Sequence, residues 1–341
     1  MAAETTAASS RSASSRSASS PAAPDRGLAH VPAGAFAIAM GVGGTAVAWQ
    51  RFGTAFGWGA GIGTVLAWIA LGVLIVVAGA YIAKVARYPR AALAEWTHPV
   101  RSAFVAASAI AMLVLAIAFL PMNHALSAGL WWAGAALQAV ITVLVMRNWI
   151  ADSRIEHAHV HPAWFIPVVG NLVAPLAGVE HAPAELNWYF FGVGAVYWLG
   201  LLPVVLQRLF VAGFMPPRLA PTLAILVAPP SVAALAWVRL GGSWDDPLAR
   251  VLLAVVVFQL ALLASQANAL RRVPFAVSSW AYTFPLAAAA SALLVAANAG
   301  AADVYRWIGA VAVTAASVLV LGLAVRTVIA GARGELLRAE G

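Results

Sequence analysis

Long uninterrupted apolar runs dominate the chain, and short polar segments separate them. Because a helix needs about 20 mostly apolar residues to cross a bilayer, each run is a candidate transmembrane helix. The runs are continuous rather than alternating with a period of two residues, so the pattern excludes a transmembrane β-barrel. The fifth run is the shortest and has polar flanks. The pattern predicts ten spans, at 31–51, 61–83, 102–120, 126–146, 163–178, 186–207, 219–238, 248–268, 277–298 and 305–329.

The charged residues between the runs predict how the helices are oriented. With a cytoplasmic amino terminus, the cytoplasmic segments hold all of the 20 basic residues except Arg51, Arg239, Arg250 and Arg306. Cytoplasmic loops of membrane proteins carry such an excess of lysine and arginine. We therefore predict a multi-pass protein of the plasma (inner) membrane with both termini in the cytoplasm.

The two ends of the chain differ from the apolar middle. Residues 1–30 are rich in alanine and serine, with spaced arginines and no apolar core, which is typical of a disordered tail. The same composition also resembles an organellar transit peptide, and this alternative stays open. The expected organisation is a cytoplasmic tail at 1–30, a ten-helix transmembrane domain at 31–329 and a short cytoplasmic tail at 330–341.

Composition excludes several classes of function. Of the 341 residues 63% are apolar and 9% are charged, whereas a soluble domain has about 25% charged residues. The absence of cysteine excludes disulfides and cysteine-ligated metals. The net charge of +8 does not indicate nucleic acid, because the basic residues are scattered and include a single lysine. No P-loop or converging catalytic set is present, so we expect neither an enzyme nor a cofactor.

Proline marks the odd-numbered spans. A proline removes a backbone donor and bends the helix, and in lipid a neighbouring helix or an aqueous cavity must satisfy the freed carbonyl. The alternation favours five bent helices around a polar path, with five smoother helices facing lipid. The alternative is that prolines are simply common in membrane helices, and Pro203 in the sixth span is an exception. The prolines of the odd spans are Pro32, Pro99, Pro162, Pro167, Pro175, Pro229, Pro230 and Pro285.

Several short segments, in order along residues 31–298, resemble the tellurite-resistance/C4-dicarboxylate transporter family, which includes the plant slow-type anion channels. The most specific is Trp280-Ala-Tyr-Thr-Phe-Pro285 in the ninth span. The others are Phe36-Ala-Ile-Ala-Met-Gly41, His98-Pro-Val-Arg101, Val169-Gly-Asn171, Phe191-Gly-Val-Gly194, Met215-Pro216 and Ala228-Pro-Pro-Ser231.

The resemblance implies an all-α fold of ten transmembrane helices, arranged as five hairpins with quasi-fivefold symmetry around a central pore. It also implies a homotrimer, and passive conduction or export of anions such as nitrate, chloride, malate, sulfite or tellurite. On the same basis Phe284 would be the pore gate, blocking the path by its size and by excluding water.

Other residues are candidates with two open interpretations each. Phe36, Phe104 and Phe165 could narrow the pore or pack between helices, and Gly41 and Gly170 could smooth the pore wall or permit close helix packing. Asn171 could satisfy a backbone carbonyl near Pro167 or donate to the ion. Arg101 could draw anions to the mouth. The expected helix kinks are at Pro167, Pro229, Pro230 and Pro285.

His157, His159 and His161 could bind a metal only adventitiously, so no metal site is expected. No charged residue lies in the middle of any span, whereas proton-coupled carriers usually need one there. A passive anion channel is therefore the first hypothesis. A proton-coupled or other secondary transporter of a C4-dicarboxylate, sulfite or tellurite is the second, and a membrane scaffold or receptor is the third.

Overall fold

The computed structural model describes residues 27–334, and every regular element in that range is a helix. Nine helices within it are long and apolar enough to cross a membrane, and one further apolar segment, the predicted fifth span, is shorter. In chain order we number these ten α1 Ala33–Phe56, α2 Ala60–Arg87, α3 Arg101–Phe119, α4 His124–Ala151, α5 Pro162–Gly178, α6 Ala184–Val211, α7 Ala220–Arg239, α8 Pro247–Ser265, α9 Val277–Asn298 and α10 Val304–Ala332.

Burial divides the helices into two sets. In the most apolar stretch of α1, α3, α7 and α9, between 72% and 83% of the residues are buried, and in α5 only Leu176 is not fully buried. In the even-numbered helices the buried share is 17–39%. We call the odd-numbered set the inner helices and the even-numbered set the outer helices. A helix that is apolar all round and also exposed, as the outer ones are, suits contact with lipid.

Contacts between helices follow the same division. Each outer helix packs against the inner helix that precedes it in the chain. Each inner helix also contacts the next inner helix, and α9 contacts α1. The contacts between inner helices thus run in a closed cycle, which we call the ring, and each outer helix packs against one of its members.

The inner helices do not begin as regular α-helices. Each starts with a 3₁₀ turn, and a proline lies in that turn or within three residues of it. Pro167, Pro229, Pro230 and Pro285 all lie in the first turn of the α-helical piece that follows. The missing N–H costs little there, because first-turn N–H groups have no partner within the helix. The 3₁₀ turns are Ala33–Ala35, Arg101–Ala106, Pro162–Trp164, Ala220–Val227 and Val277–Tyr282.

Side chains of α4 satisfy the backbone of the broken helix α5. The carbonyl oxygen of Pro167 accepts a hydrogen bond from Gln138 Nε2 at 2.9 Å and lies 2.7 Å from the hydroxyl of Thr142. The indole of Trp131 donates to the carbonyl of Ala174 at 2.8 Å. Buried carbonyls without partners would each cost several kcal/mol in lipid. An outer helix thus permits the irregular course of its inner neighbour.

A buried ion pair fixes the start of α1. Lys84 Nζ lies 2.7 Å from Glu95 Oε2 and donates to the carbonyl of Val31 at 2.7 Å. Glu95 Oε1 accepts from the backbone N–H of Ala33 at 2.7 Å, and both charged side chains are about 95% buried. Glu95 belongs to a short linking helix, Pro89–Trp96, that the sequence did not reveal. Because every polar atom of the pair has a partner, the pair ties α1, α2 and the linking helix together.

We expect Lys84→Met to lower the unfolding free energy by about 3–5 kcal/mol, because it leaves the Glu95 carboxylate buried and unpaired. Lys84→Met combined with Glu95→Gln should recover part of the loss, since glutamine keeps an acceptor for the Ala33 N–H. Denaturant unfolding in detergent measures both. Arg250→Met, which removes one partner of the exposed pair with Asp245, is the control and should change little. A single variant as stable as wild type would contradict the assignment.

Candidate functional site

The inner helices enclose a cavity of about 50 Å³ close to the end of the ring at which they begin. We call this the near end and the opposite end the far end. Every residue that lines the cavity belongs to an inner helix, and all five inner helices contribute. One residue from each is Met40, Phe104, Phe165, Pro229 and Phe284.

A second cavity, of about 30 Å³, lies deeper and is again lined only by inner helices. Its wall includes Gly44, Val114 and Ala288, each one to three turns further along its helix than the residues of the first cavity. Val173, Val232 and Phe284 line both cavities. The two cavities therefore follow the axis of the ring in series, and these three side chains stand between them.

Phe284 is the largest of the three side chains at this boundary. It is partly accessible, whereas its neighbours Thr283 and Pro285 are buried. Its ring lies over Gly44 of α1, where a Cβ would be 3.0 Å from Phe284 Cδ2. A side chain at this position would require the ring to shift by a few tenths of an ångström. Nothing in the sequence distinguishes Gly44 from the neighbouring Gly41 and Gly43, and only the structure shows that the Phe284 ring packs on it.

The walls of both cavities are uncharged. In the first cavity the one polar side chain is that of Ser278, whose hydroxyl donates to the carbonyl of Arg218 at 2.6 Å. In the second it is Ser291, which donates to the carbonyl of Ala287 at 2.8 Å. Both hydroxyl protons are thus engaged with backbone. Within the described residues, neither wall offers an ionisable group.

Several of the candidate residues come together around the first cavity. Phe104, Phe165, Gly170, Pro229 and Pro285 line it with Phe284. Gly170 also packs tightly, because a Cβ there would overlap Ile110. The wall further includes Met40, Val169 and Ile225, which sequence reasoning did not single out. In an apolar helix the sequence does not distinguish an aliphatic residue that faces the lumen from one that packs in the protein core.

Other candidates lie outside both walls. Phe36 packs edge-on against Tyr81 of α2, with ring centroids 5.7 Å apart. Gly41 faces Trp280 and Thr283 of α9, where a side chain would overlap the threonine. These two positions serve helix packing, one of the two interpretations that the sequence left open. Pro167 and Pro230 also lie outside the cavity walls.

Asn171 is 1% exposed and forms hydrogen bonds within the protein. Its amide nitrogen donates to the carbonyl of Val168 at 2.6 Å and to the hydroxyl of Thr142 at 2.9 Å. The carbonyl of Pro167 is satisfied from α4 and not by Asn171. Of the two open interpretations, the geometry supports the structural one, although the carbonyl is that of Val168.

Positive charge collects at the near end. Arg101 is exposed and begins α3, about one turn before Phe104. His98 Nδ1 accepts hydrogen bonds from the backbone N–H groups of Val100 and Arg101, so the imidazole caps the start of α3. Burial lowers the pKa of His98, and the positive charges of Arg101, His159 and Arg154 lower it further. Arg101 thus places an exposed positive charge at this end, and such a charge attracts anions.

The three histidines of the loop before α5 do not converge. His157 is exposed and His159 partly so, whereas His161 is completely buried. In the part of the chain that the structure describes, no three histidine, aspartate or glutamate residues are grouped as metal ligands would be.

Comparison with known proteins assigns the family. A family model described as voltage-dependent anion channel matches residues 30–328. The chain is 28% identical to the S-type anion channel SLAH3 of Arabidopsis thaliana over 89% of this chain and 48% of the relative. It is 27% identical to the guard cell S-type anion channel SLAC1 of the same plant, over 80% and 50% respectively.

A bacterial relative covers more of its own length. The tellurite resistance protein TehA homolog of Haemophilus influenzae is 26% identical over 76% of this chain and 80% of the relative. The chain spans about half the length of the plant relatives that it matches. The matched residues include all five inner helices, both cavities and Phe284. The chain is thus a multi-pass membrane protein that belongs to the SLAC1 family of voltage-dependent anion channels.

Proposed function

We propose that the protein is a passive anion channel, with the inner helices as the pore wall and the Phe284 ring as the gate. The observation that supports this most directly is that the ring separates two cavities in series along the ring axis. A phenyl ring at a narrow point blocks an ion by its size and prevents water from wetting the constriction. Ten helices as five hairpins in quasi-fivefold arrangement are the architecture that we infer for the pore.

The near end favours negative ions although neither cavity wall carries a charge. All five inner helices begin there, so the positive ends of their dipoles lie at the same end of the pore. Arg101 adds an exposed positive charge at the mouth. The neutral wall beyond would hold an anion only weakly, and weak binding is what rapid conduction requires.

Passive conduction agrees better with the uncharged walls than coupled transport does. A proton-coupled carrier usually needs an ionisable relay within the membrane, and neither cavity wall contains one. Several relatives are named anion channels, and one is named for tellurite resistance. The permeant ion we infer is a small inorganic or dicarboxylate anion such as nitrate, chloride, malate, sulfite or tellurite. If a pH gradient drives the flux of such an anion, the protein is instead a secondary transporter.

We further propose a homotrimer in the plasma (inner) membrane, with both termini cytoplasmic, so that the near end opens to the cytoplasm. The transmembrane domain would be residues 31–329, and α10 continues three residues further, to Ala332. The proposed tails fall largely on residues 1–26 and 335–341, which lie outside the described residues. No catalytic activity is part of this proposal.

We expect Phe284→Ala to raise anion current by at least about tenfold, equivalent to a barrier lowered by about 1.4 kcal/mol. The physical reason is that alanine removes the ring from the boundary between the cavities. The measurement is the chloride and nitrate current of purified protein in planar bilayers, normalised to the amount incorporated. Phe284→Leu should give an intermediate current, because its side chain is smaller than phenylalanine but larger than alanine.

Phe52→Ala is the matched control for that experiment. It removes the same ring from an inner helix at a position that stacks on Phe56 and lines neither cavity. We expect a current close to wild type. A Phe284→Ala current that is unchanged, or that Phe52→Ala equals, would overturn the gate. Currents that reverse at the potential of the imposed proton gradient, not of the anion, would overturn passive conduction.

We expect Arg101→Gln to reduce anion current entering from the near end by about twofold or more at low ionic strength. The difference should vanish near 1 M salt, where charges are screened within about 3 Å. The measurement is the current at symmetrical salt concentrations between 10 mM and 1 M. Arg90→Gln, an exposed arginine of the linking helix at the same end, should leave the current unchanged. A loss that persists at high salt would contradict an electrostatic role.

A further inference from the structure

A completely buried histidine stands behind the wall of the first cavity. His161 is 0% exposed and precedes α5, and its ring stacks on Phe104 with centroids 6.1 Å apart and an interplanar angle of 16°. Neither ring nitrogen has a hydrogen-bond partner. Phe104 itself lines the first cavity, so His161 lies on the opposite side of that aromatic wall from the lumen.

A buried arginine lies at the same end of the α5–α6 pair: the two helices run antiparallel with Gly194 packed on Leu172, so the last turn of α6 lies beside the start of α5. Arg208, in the last turn of α6, is 6% exposed. One terminal nitrogen donates to the carbonyl of Gly213 at 3.2 Å, and Nε is buried with no partner. Within residues 27–334 no carboxylate forms an ion pair with it, in contrast to Lys84, the other buried basic residue at the near end.

Two tryptophans add further donors near the same place. Trp164, three residues after His161, stacks on Trp149 in the last turn of α4, with centroids 4.4 Å apart and an interplanar angle of 18°. The indole nitrogens of both are buried and have no acceptor. The near ends of α4, α5 and α6 therefore bring together buried donors without an acceptor among the described residues.

A set of buried donors raises the free energy of the folded protein unless a ligand supplies the missing acceptor. An unsatisfied buried donor costs about 1–3 kcal/mol, and a buried charge without a counterion costs more. Burial, with the positive charges of His159 and Arg208, lowers the pKa of His161 to about 3, so the ring is neutral at physiological pH and presents one N–H. A neutral ring N–H, a guanidinium Nε–H and indole N–H groups are all donors, and an anion accepts from each.

We propose that His161 and Arg208 form a binding site for a small monovalent inorganic anion, distinct from the path through the two cavities. The ion neutralises the Arg208 guanidinium and accepts a hydrogen bond from the imidazole. A water molecule could accept that hydrogen bond but could not neutralise the charge. Because Phe104 separates the site from the first cavity, occupancy would hold this part of the pore wall in place. The site does not depend on whether the pore conducts, so the proposal stands apart from the channel function.

Bromide is the probe for a direct test, since it scatters anomalously and resembles chloride in size and charge. The full chain, purified in detergent with gluconate as the only other anion, is crystallised with bromide. We expect an anomalous peak within hydrogen-bond distance of His161 and of Arg208 Nε. A peak only along the ring axis, or an ordered water without anomalous signal at His161, would overturn the proposal.

Binding in solution gives a second readout, from the rise of the unfolding temperature with bromide concentration. His161→Phe keeps the aromatic stack on Phe104 and removes both ring nitrogens, so we expect bromide affinity to fall at least tenfold. Arg208→Lys keeps the positive charge but removes Nε, so it should also weaken bromide binding. This second variant tests the site even if His161→Phe does not fold. Phe52→Ala, at a position that lines neither cavity, should bind bromide as wild type does. Equal affinity in wild type and both site variants would overturn the proposal.

Discussion

The bilayer leaves no water for a backbone polar group, and this constraint shapes the whole structure. Inner helices that contain prolines and begin with 3₁₀ turns need partners for their carbonyls. The clearest case is α5, where Gln138 and Thr142 of α4 meet the carbonyl of Pro167. Each outer helix both shields its inner neighbour from lipid and can supply such donors. The irregular wall of the lumen therefore depends on the regular helices outside it.

The same arrangement explains how a chain so poor in charge still positions its helices. At the near end the pair of Lys84 and Glu95 joins two helices to the start of α1 with four short polar contacts. Elsewhere close packing of small residues replaces polar contacts, as where Gly41 meets Thr283. The buried ion pair thus joins the helices at one junction, and close packing of small residues joins them at others.

Hydropathy located the helices because burial in lipid leaves continuous apolar runs, and proline spacing separated the inner helices from the outer ones. The resemblance pointed to Phe284, and the structure places that ring between two cavities. Phe36 and Gly41 lie on inner helices too, but facing other helices, since the inner helices are apolar on every side and the sequence holds no signal for which face meets the lumen. The Lys84–Glu95 pair was equally hidden, because both residues fit a solvated loop until the linking helix folds back.

The uncharged interior has an electrical consequence. In the described residues the basic and acidic side chains of the ten helices lie towards helix ends, so the protein has few charges that a transmembrane potential can move through the hydrocarbon layer. Moving one elementary charge across 100 mV is worth about 2.3 kcal/mol. In the proposed channel that work would fall mainly on the permeating ion, and the current through a given open state would then grow smoothly with driving force.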